Sequence, residues 1–131
     1  MQYVNERSIE ALRSTFPQCT IYAYCPTKSW QTSRYIQIRI KGYDEDIHYE
    51  YRIDGAWKGW VELHFEKEWE EKYASLIDLL IKHTEGRENL IWEEWSWGYR
   101  CRHSKEIDTI EDLCLTLSEM KSIFDPVLSE S

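Results

Sequence analysis

Two neighbouring segments of the chain alternate apolar and polar residues with a period of two, over residues 47–53 and 61–66. This period is typical of half-buried β-strands, because successive side chains point to opposite faces of a sheet. The sequence therefore predicts an antiparallel hairpin with one apolar and one polar face. A two-residue Asp54–Gly55 turn would place His48 and Glu50 on the apolar face, so we expect a wider loop or a bulge through Gly55 to Gly59.

The polar face of this hairpin carries the densest group of ionisable residues in the sequence: His48, Glu50, Arg52, Glu62, His64 and Glu66. Imidazoles and carboxylates on neighbouring strands can converge on a divalent metal or act as acid–base groups. The candidate catalytic residues are therefore His48, Glu50, Glu62 and His64. A solvent-facing cross-strand ladder is the commoner arrangement of such residues, and no HExxH or comparable spacing is present. We therefore predict no bound metal or other cofactor.

The remaining segments predict an α+β fold in one domain over residues 1–131. The predicted elements are a short helix over 4–16, strands over 19–24 and 35–41, the hairpin, a helix from Trp69 to a Gly86 cap, a second hairpin over 89–102, and a helix from Asp108 or Thr109 that Pro126 ends. Together they give an antiparallel sheet of about five strands, a meander plus a second hairpin. Two long helices are expected to pack on one face of this sheet.

Charge and composition restrict the possible partners. The net charge of −8 and the pI of about 5.0 argue against direct binding of nucleic acid, because phosphate recognition depends on clustered Lys and Arg. No apolar stretch approaches the roughly 20 residues that span a bilayer. The four cysteines form no CxxC pair, and the N-terminus lacks the apolar run of a signal peptide. We therefore predict a cytoplasmic protein with reduced thiols and no membrane association.

One segment is unusually rich in aromatic residues and arginine. The candidate residues for binding a ligand or partner are Trp92, Trp95, Trp97, Tyr99, Arg100 and Arg102. Aromatic and arginine side chains are frequent in protein interfaces and stack on planar ligands. The alternative is that half of them belong to the core. Glu93 and Glu94 lie in the same segment, which favours a protein or small-molecule partner over nucleic acid.

Three further motifs receive a structural interpretation. Cys101 and His103 lie on one face of a predicted strand, roughly 7 Å apart, and we expect a buried structural cysteine beside an exposed histidine. The triplets Glu70–Lys72 and Glu119–Lys121 are similar to the end of the restriction-endonuclease-like nuclease signature. Both fall on predicted helices, whereas that chemistry needs the Glu and Lys on one strand, so we exclude a catalytic role for them.

From Tyr49 onward the chain resembles an uncharacterised bacterial domain family. The matching features are the His-Tyr-Glu of the first hairpin strand, the 61–66 strand, the long helix ending at Gly86, the 90–93 strand and the closing 124–128 segment. Members of this family occur alone or C-terminal to restriction-endonuclease-like (PD-(D/E)XK) nuclease domains. The resemblance implies an accessory or sensing module associated with DNA-modification or defence systems, and it provides no catalytic residues to carry over.

The leading functional hypothesis is a non-catalytic cytoplasmic binding module that recognises a protein or small ligand through its sheet surface. A metal-dependent or hydrolase-type enzyme that uses the candidate catalytic residues is the second hypothesis. The third is an immunity or antitoxin protein whose acidic surface blocks a basic toxin.

Overall fold

A six-stranded antiparallel sheet is the central element of the structure, a computed structural model that describes residues 2–24, 34–40, 42–43, 46–66, 68–95 and 98–130. The strands are β1 (Thr20–Tyr24), β2 (Tyr35–Arg39), β3 (Ile47–Arg52), β4 (Val61–Phe65), β5 (Leu90–Trp95) and β6 (Gly98–His103). The α-helices are α1 (Ile9–Thr15), preceded by a 3-10 turn (Glu6–Ser8), α2 (Trp69–Lys72), α3 (Ala74–His83) and α4 (Ile110–Glu130).

The sheet has the order β1-β2-β3-β4-β6-β5, and all neighbouring strands are antiparallel. The predicted α+β class, the meander and the second hairpin are confirmed, with six strands rather than about five. The second hairpin joins the sheet through its later strand, β6, which pairs with β4. The earlier strand, β5, therefore lies at one edge of the sheet, and β1 lies at the other.

The central hairpin has the register that its alternation predicts. Ile47 pairs with Phe65 and Tyr51 pairs with Val61, so the apolar residues of both strands share one face. The connecting loop is wide, as predicted, and both Gly55 and Gly59 have a positive φ within it, at 89° and 87°. The Gly59 N–H donates to the Arg52 carbonyl and closes the loop. The odd number of residues between Tyr51 and Val61 keeps the apolar sets together.

The helices bury the apolar face of the sheet. Fully buried residues on the helix side include Leu12, Leu80, Leu113, Leu117 and Phe124. Each such side chain contributes roughly 1.5–3 kcal/mol to folding through its burial. The helix predicted from Trp69 is divided at Tyr73 into α2 and α3, so α4 is the only helix longer than ten residues in the part of the chain that the structure describes.

The prediction that Pro126 ends the last helix is wrong, because α4 continues through it to Glu130. Proline removes one backbone donor from a helix, yet packing of the following turn can outweigh that loss. Leu128 belongs to that turn and is 2% exposed, and its carbonyl accepts a 2.6 Å hydrogen bond from the Tyr43 hydroxyl. Among the described residues, no helix is long and apolar enough to cross a membrane.

Candidate functional site

The second face of the sheet is polar, and its centre on β3 and β4 is also buried. The exposed fractions of His48, Glu50, Glu62 and His64 are 0%, 2%, 0% and 5%. The prediction of a solvent-facing ladder is therefore wrong. Ionised side chains are almost never buried to this degree unless they are paired, so the contacts between these groups decide what the site can do.

Strand pairing brings the polar residues of four strands into two rows. In the first row His48 lies opposite His64, and the same row continues to Arg39 on β2 and Arg100 on β6. In the second row Glu50 lies opposite Glu62, with Gln37 and Arg102 on the flanking strands. The alternation that produces the apolar face thus produces this arrangement as well.

Glu62 bridges an imidazole and a guanidinium. Its Oε1 lies 3.2 Å from His64 Nδ1, and its Oε2 accepts a 3.2 Å hydrogen bond from Arg100 Nη1. Arg100 is 3% exposed and also donates through Nε to Glu93 Oε1 at 2.9 Å. The same Glu93 oxygen accepts a 2.9 Å hydrogen bond from Arg102 Nε. The charges on this side of the face are therefore paired with one another.

Glu50 occupies the equivalent position on β3. Its Oε1 lies 3.2 Å from His48 Nε2 and 3.4 Å from Gln37 Nε2. Its Oε2 lies 3.0 Å from Arg52 Nη2 and 3.8 Å from His64 Nδ1. Neither of these two contacts is aligned as a hydrogen bond, so Oε2 is buried without a hydrogen-bond partner among the described residues.

The pairing shifts the pKa values of two groups in this cluster. Burial alone would lower the pKa of His64, but its contacts with the carboxylates of Glu62 and Glu66, and the charge of Glu50, raise that pKa to about 9. Burial alone would raise the pKa of Glu50, but the hydrogen bond with His48 and the charges of His64 and Arg52 lower it. The site therefore holds a charged imidazolium and a charged carboxylate side by side at neutral pH.

Three half-buried tryptophans lie over this face. Trp57 and Trp60 come from the loop between β3 and β4, and Trp95 ends β5. The Arg100 guanidinium carbon lies 4.6 Å from the Trp57 ring centroid and 4.8 Å from that of Trp95. The Arg102 guanidinium carbon lies 4.2 Å from the Trp60 centroid. Cation–π contacts of this length contribute about 0.5–2 kcal/mol each. We call these five residues the arginine–tryptophan layer.

The predicted binding residues do not form one surface, because the strand pleat divides them. Trp95, Arg100 and Arg102 belong to the polar face. Trp92 instead contacts Phe65 and Phe124 on the helix side and donates through Nε1 to Thr84 Oγ1 at 3.0 Å. Tyr99 is also on that side, with its ring 4.8 Å from the Trp69 ring. Trp97 lies outside the described residues.

Sequence reasoning did not identify Trp57 and Trp60 as members of the site. The available signal was the segment 57–60, in which two tryptophans flank Lys58 and Gly59 within a predicted turn. Hairpin turns are usually made of small polar residues, so two large apolar rings in one loop indicate that the loop folds over a surface.

The other motifs have structural surroundings. Cys101 is fully buried on the helix side of the sheet, and burial raises the pKa of its thiol. His103 was expected to be exposed but is 7% exposed, and its Nδ1 accepts from the Lys105 N–H at 3.1 Å. The triplets at 70–72 and 119–121 lie on α2 and α4, as predicted. Cys19, Cys101 and Cys114 are free thiols.

Two groups of three side chains have potential ligand atoms close enough to hold a metal ion. One consists of Glu50, Glu62 and His64, and the other of His48, His64 and Glu66. Within each group the ligand atoms lie within 4.8 Å of one another. Both groups contain His64, which turns Nδ1 toward Glu62 and Nε2 toward Glu66.

Comparisons of the chain with protein-family models, with curated proteins and with solved structures found no match. The resemblance to the nuclease-associated bacterial domain therefore stays a prediction.

Proposed function

We propose that this protein is a non-catalytic binding module that recognises a partner protein through the polar face of its sheet. The observation that carries the proposal is the arginine–tryptophan layer, in which three half-buried tryptophans surround two arginines. Trp, Tyr and Arg are the residues most enriched at the energetic centres of protein interfaces. A rigid aromatic surface also loses little conformational entropy when a partner binds.

Tyrosines extend this layer toward the β1 edge. Tyr22 is 45% exposed, and its ring lies 5.4 Å from the Arg39 guanidinium carbon. Tyr24 and Tyr35 stack with ring centroids 4.9 Å apart, and the Arg52 guanidinium carbon lies 5.2 Å from the Tyr35 centroid. The alternation of rings and guanidinium groups therefore continues across the sheet, which gives the face the breadth of a protein interface rather than that of a single small-molecule pocket.

The pairing of charges supports a role as a prepared surface. Glu93 holds both Arg100 and Arg102, so the tryptophans rest on side chains that are already fixed. A surface that is ordered before binding loses less free energy on association. The link to a restriction or defence system, and the cytoplasmic location, rest on the resemblance and on the cysteine pattern, and they belong to this proposal.

The test uses two variants of the tagged full chain in extracts of the source cells at low salt. Trp60→Ala changes the layer, and the control Leu115→Ala changes a side chain that is 69% exposed on α4, on the other side of the sheet. Quantitative mass spectrometry should find a stoichiometric protein that the wild type and the control retain and Trp60→Ala loses. With that protein purified, Trp60→Ala should weaken binding by about 30-fold, as expected for a loss of about 2 kcal/mol.

Circular dichroism of Trp60→Ala establishes whether the variant remains folded. If every co-purifying protein is retained equally by both variants, the proposed surface is wrong. A small molecule found by native mass spectrometry, and lost only in Trp60→Ala, would replace the partner protein with a ligand. A nuclease, a restriction subunit or a basic toxin as the captured partner would identify the system.

A metal-dependent or hydrolase-type enzyme is the second candidate, favoured by the burial of His48, Glu50, Glu62 and His64 in one cluster. Buried acid–base groups with shifted pKa values are common at catalytic sites. Because these four side chains are at most 5% exposed, a substrate needs an opening in the tryptophan cover to reach them. Turnover that Trp60→Ala leaves intact and His64→Gln abolishes would favour the enzyme.

A further inference from the structure

The strongest unassigned feature of the polar face is a group of three buried side chains on its two central strands. Glu50 lies on β3, and Glu62 and His64 lie on β4. We propose that these three residues bind one divalent transition-metal ion, such as Zn²⁺ or Mn²⁺. The inference does not depend on the proposed partner.

The distances between the ligand atoms suit such an ion. His64 Nδ1 lies 3.2 Å from Glu62 Oε1 and 3.8 Å from Glu50 Oε2. Bonds of about 2.0–2.2 Å to zinc place two ligand atoms roughly 3.4 Å apart at the tetrahedral angle. Only small side-chain rotations are therefore needed to bring an ion between the imidazole and the two carboxylates. The ion takes the place of the Nδ1 proton of the His64 imidazolium, so binding releases one proton to solvent. One nitrogen and two oxygens also form a donor set that zinc and manganese accept.

A second observation comes from the carboxylate of Glu50. Its Oε2 is buried and has no hydrogen-bond partner among the described residues, although it lies within an ion-pair distance of Arg52. A buried acceptor without a hydrogen bond costs about 1–3 kcal/mol, more if it is charged. This oxygen is on the side of the carboxylate that faces His64 Nδ1. A metal ion at this position would satisfy it.

The neighbouring residues hold the three ligands in place. Arg100 donates to Oε2 of Glu62, so that Oε1 of the same carboxylate faces His64. His48 contacts Oε1 of Glu50, so that Oε2 of Glu50 faces Nδ1 of His64. Such outer contacts orient metal ligands in characterised sites. The charges of Arg52 and Arg100 offset part of the carboxylate charge, so we expect a protein that folds without the ion and gains stability with it.

The second group of potential ligands is less suitable. The rings of His48 and His64 are stacked, with centroids 4.7 Å apart and planes inclined by 24°. A histidine binds a metal along the lone pair in its ring plane, and the lone pairs of stacked rings run side by side rather than toward one point. The third member, Glu66, has a side chain that is 40% exposed. The geometry therefore favours the Glu50, Glu62 and His64 group.

The test is a calorimetric titration of the full chain, stripped with EDTA, with Zn²⁺ and with Mn²⁺. We expect one ion per chain and a higher melting temperature with the ion than without it. Glu62→Gln should weaken binding at least tenfold, because it removes a charged ligand atom. Glu66→Gln separates this group from the one with stacked imidazoles and should retain binding. The matched control is Glu10→Gln, whose side chain is 83% exposed on α1 and which should bind as the wild type does.

A spectroscopic measurement on the wild type keeps the proposal testable even if Glu62→Gln fails to fold. In ¹⁵N-labelled protein, Zn²⁺ should shift the Nδ1 resonance of His64 far more than it shifts the ring nitrogens of His48, which contacts the ligand Glu50, and it should leave His83 and His103 in their metal-free positions. Three results would overturn the proposal: no binding by the wild type at millimolar Zn²⁺, unchanged binding by Glu62→Gln, or loss of binding in Glu66→Gln alone. The last of these would assign the ion to the group with stacked imidazoles.

Discussion

Glu62→Gln provides a direct test of whether the polar face of the sheet is buried. The substitution removes the negative charge and preserves the size of the side chain. In the structure it breaks the ion pair with Arg100 and the contact with the His64 imidazolium, inside a region where Glu62 is 0% and Arg100 is 3% exposed. If the polar face were open to solvent, the same substitution would have almost no effect on the free energy of unfolding.

The expected loss follows from the burial of both partners. Removing one member of a buried ion pair costs about 3–5 kcal/mol, because the remaining charge is left without compensation. Arg100 keeps its contacts with Glu93, which reduces the penalty. We therefore expect Glu62→Gln to lower the free energy of unfolding by about 3 kcal/mol, a large share of the roughly 5–15 kcal/mol that is typical of a protein of this size.

The assay is urea denaturation in EDTA, followed by circular dichroism, so that bound metal does not contribute. The matched control is Glu10→Gln, which breaks the Glu10–Arg13 pair on α1, where the two side chains are 83% and 56% exposed. An exposed pair of this kind contributes less than about 1 kcal/mol. The m-value should stay the same in both variants, because the area exposed on unfolding does not change. Equal losses below about 1 kcal/mol in both would refute the buried face.

Three further predictions concern His64, the cysteines and two glycines. In a pH series of urea titrations in EDTA, the free energy of unfolding should fall by up to about 3 kcal/mol between pH 6.5 and pH 9. The His64 imidazolium stabilises the fold fully only below the histidine pKa of the unfolded chain, and this contribution is lost as the pH rises through the folded-state pKa of about 9. His64→Gln should remove the decline. Peptide mapping after brief alkylation of the native protein should find Cys114 modified and Cys101 unmodified. Cys101 is fully buried and the pKa of its thiol is raised, whereas Cys114 is partly exposed. Equal modification of the two thiols would contradict the burial of Cys101. Thermal unfolding should show that Gly59→Ala lowers the free energy of unfolding by about 3 kcal/mol and Gly86→Ala lowers it by about 1 kcal/mol. Both glycines have a positive φ, but only at Gly59 would the new methyl group meet another atom, Glu106 Cγ at 2.5 Å. Equal losses would argue against that contact.

The alternating pattern was sufficient to predict the central hairpin, its apolar face and the width of its loop. It could not show that the polar face is buried. A period of two reports that the two faces of a strand differ, and it does so equally whether the polar side chains meet water or one another. The difference depends on Arg100, which joins the sheet more than 30 residues after β4, and on a loop that folds back over the strands.

Local sequence also could not show which face of the sheet each candidate binding residue occupies. The segment 89–102 was correctly identified as a hairpin, but its pairing with β4 could not be inferred from local sequence. That pairing assigns Trp95 and Arg100 to one face and Trp92 and Tyr99 to the other. Pro126 was misread because its intrinsic tendency to end a helix is outweighed by the packing of Leu128, a contact that only the tertiary structure contains.

Strand β4 has consequences for how this protein can vary during evolution. All five of its residues are buried, and their side chains alternate between the apolar core beneath the helices and the charged cluster on the other face. On most strands of a sheet with one wet face, every second position tolerates substitution. On β4 a replacement must either fill a hydrophobic space or balance a charge, and a shift by one residue would exchange these two requirements at every position. A saturation library of this strand should therefore contain no permissive position, and accepted changes should occur in compensating pairs with β3 and β6.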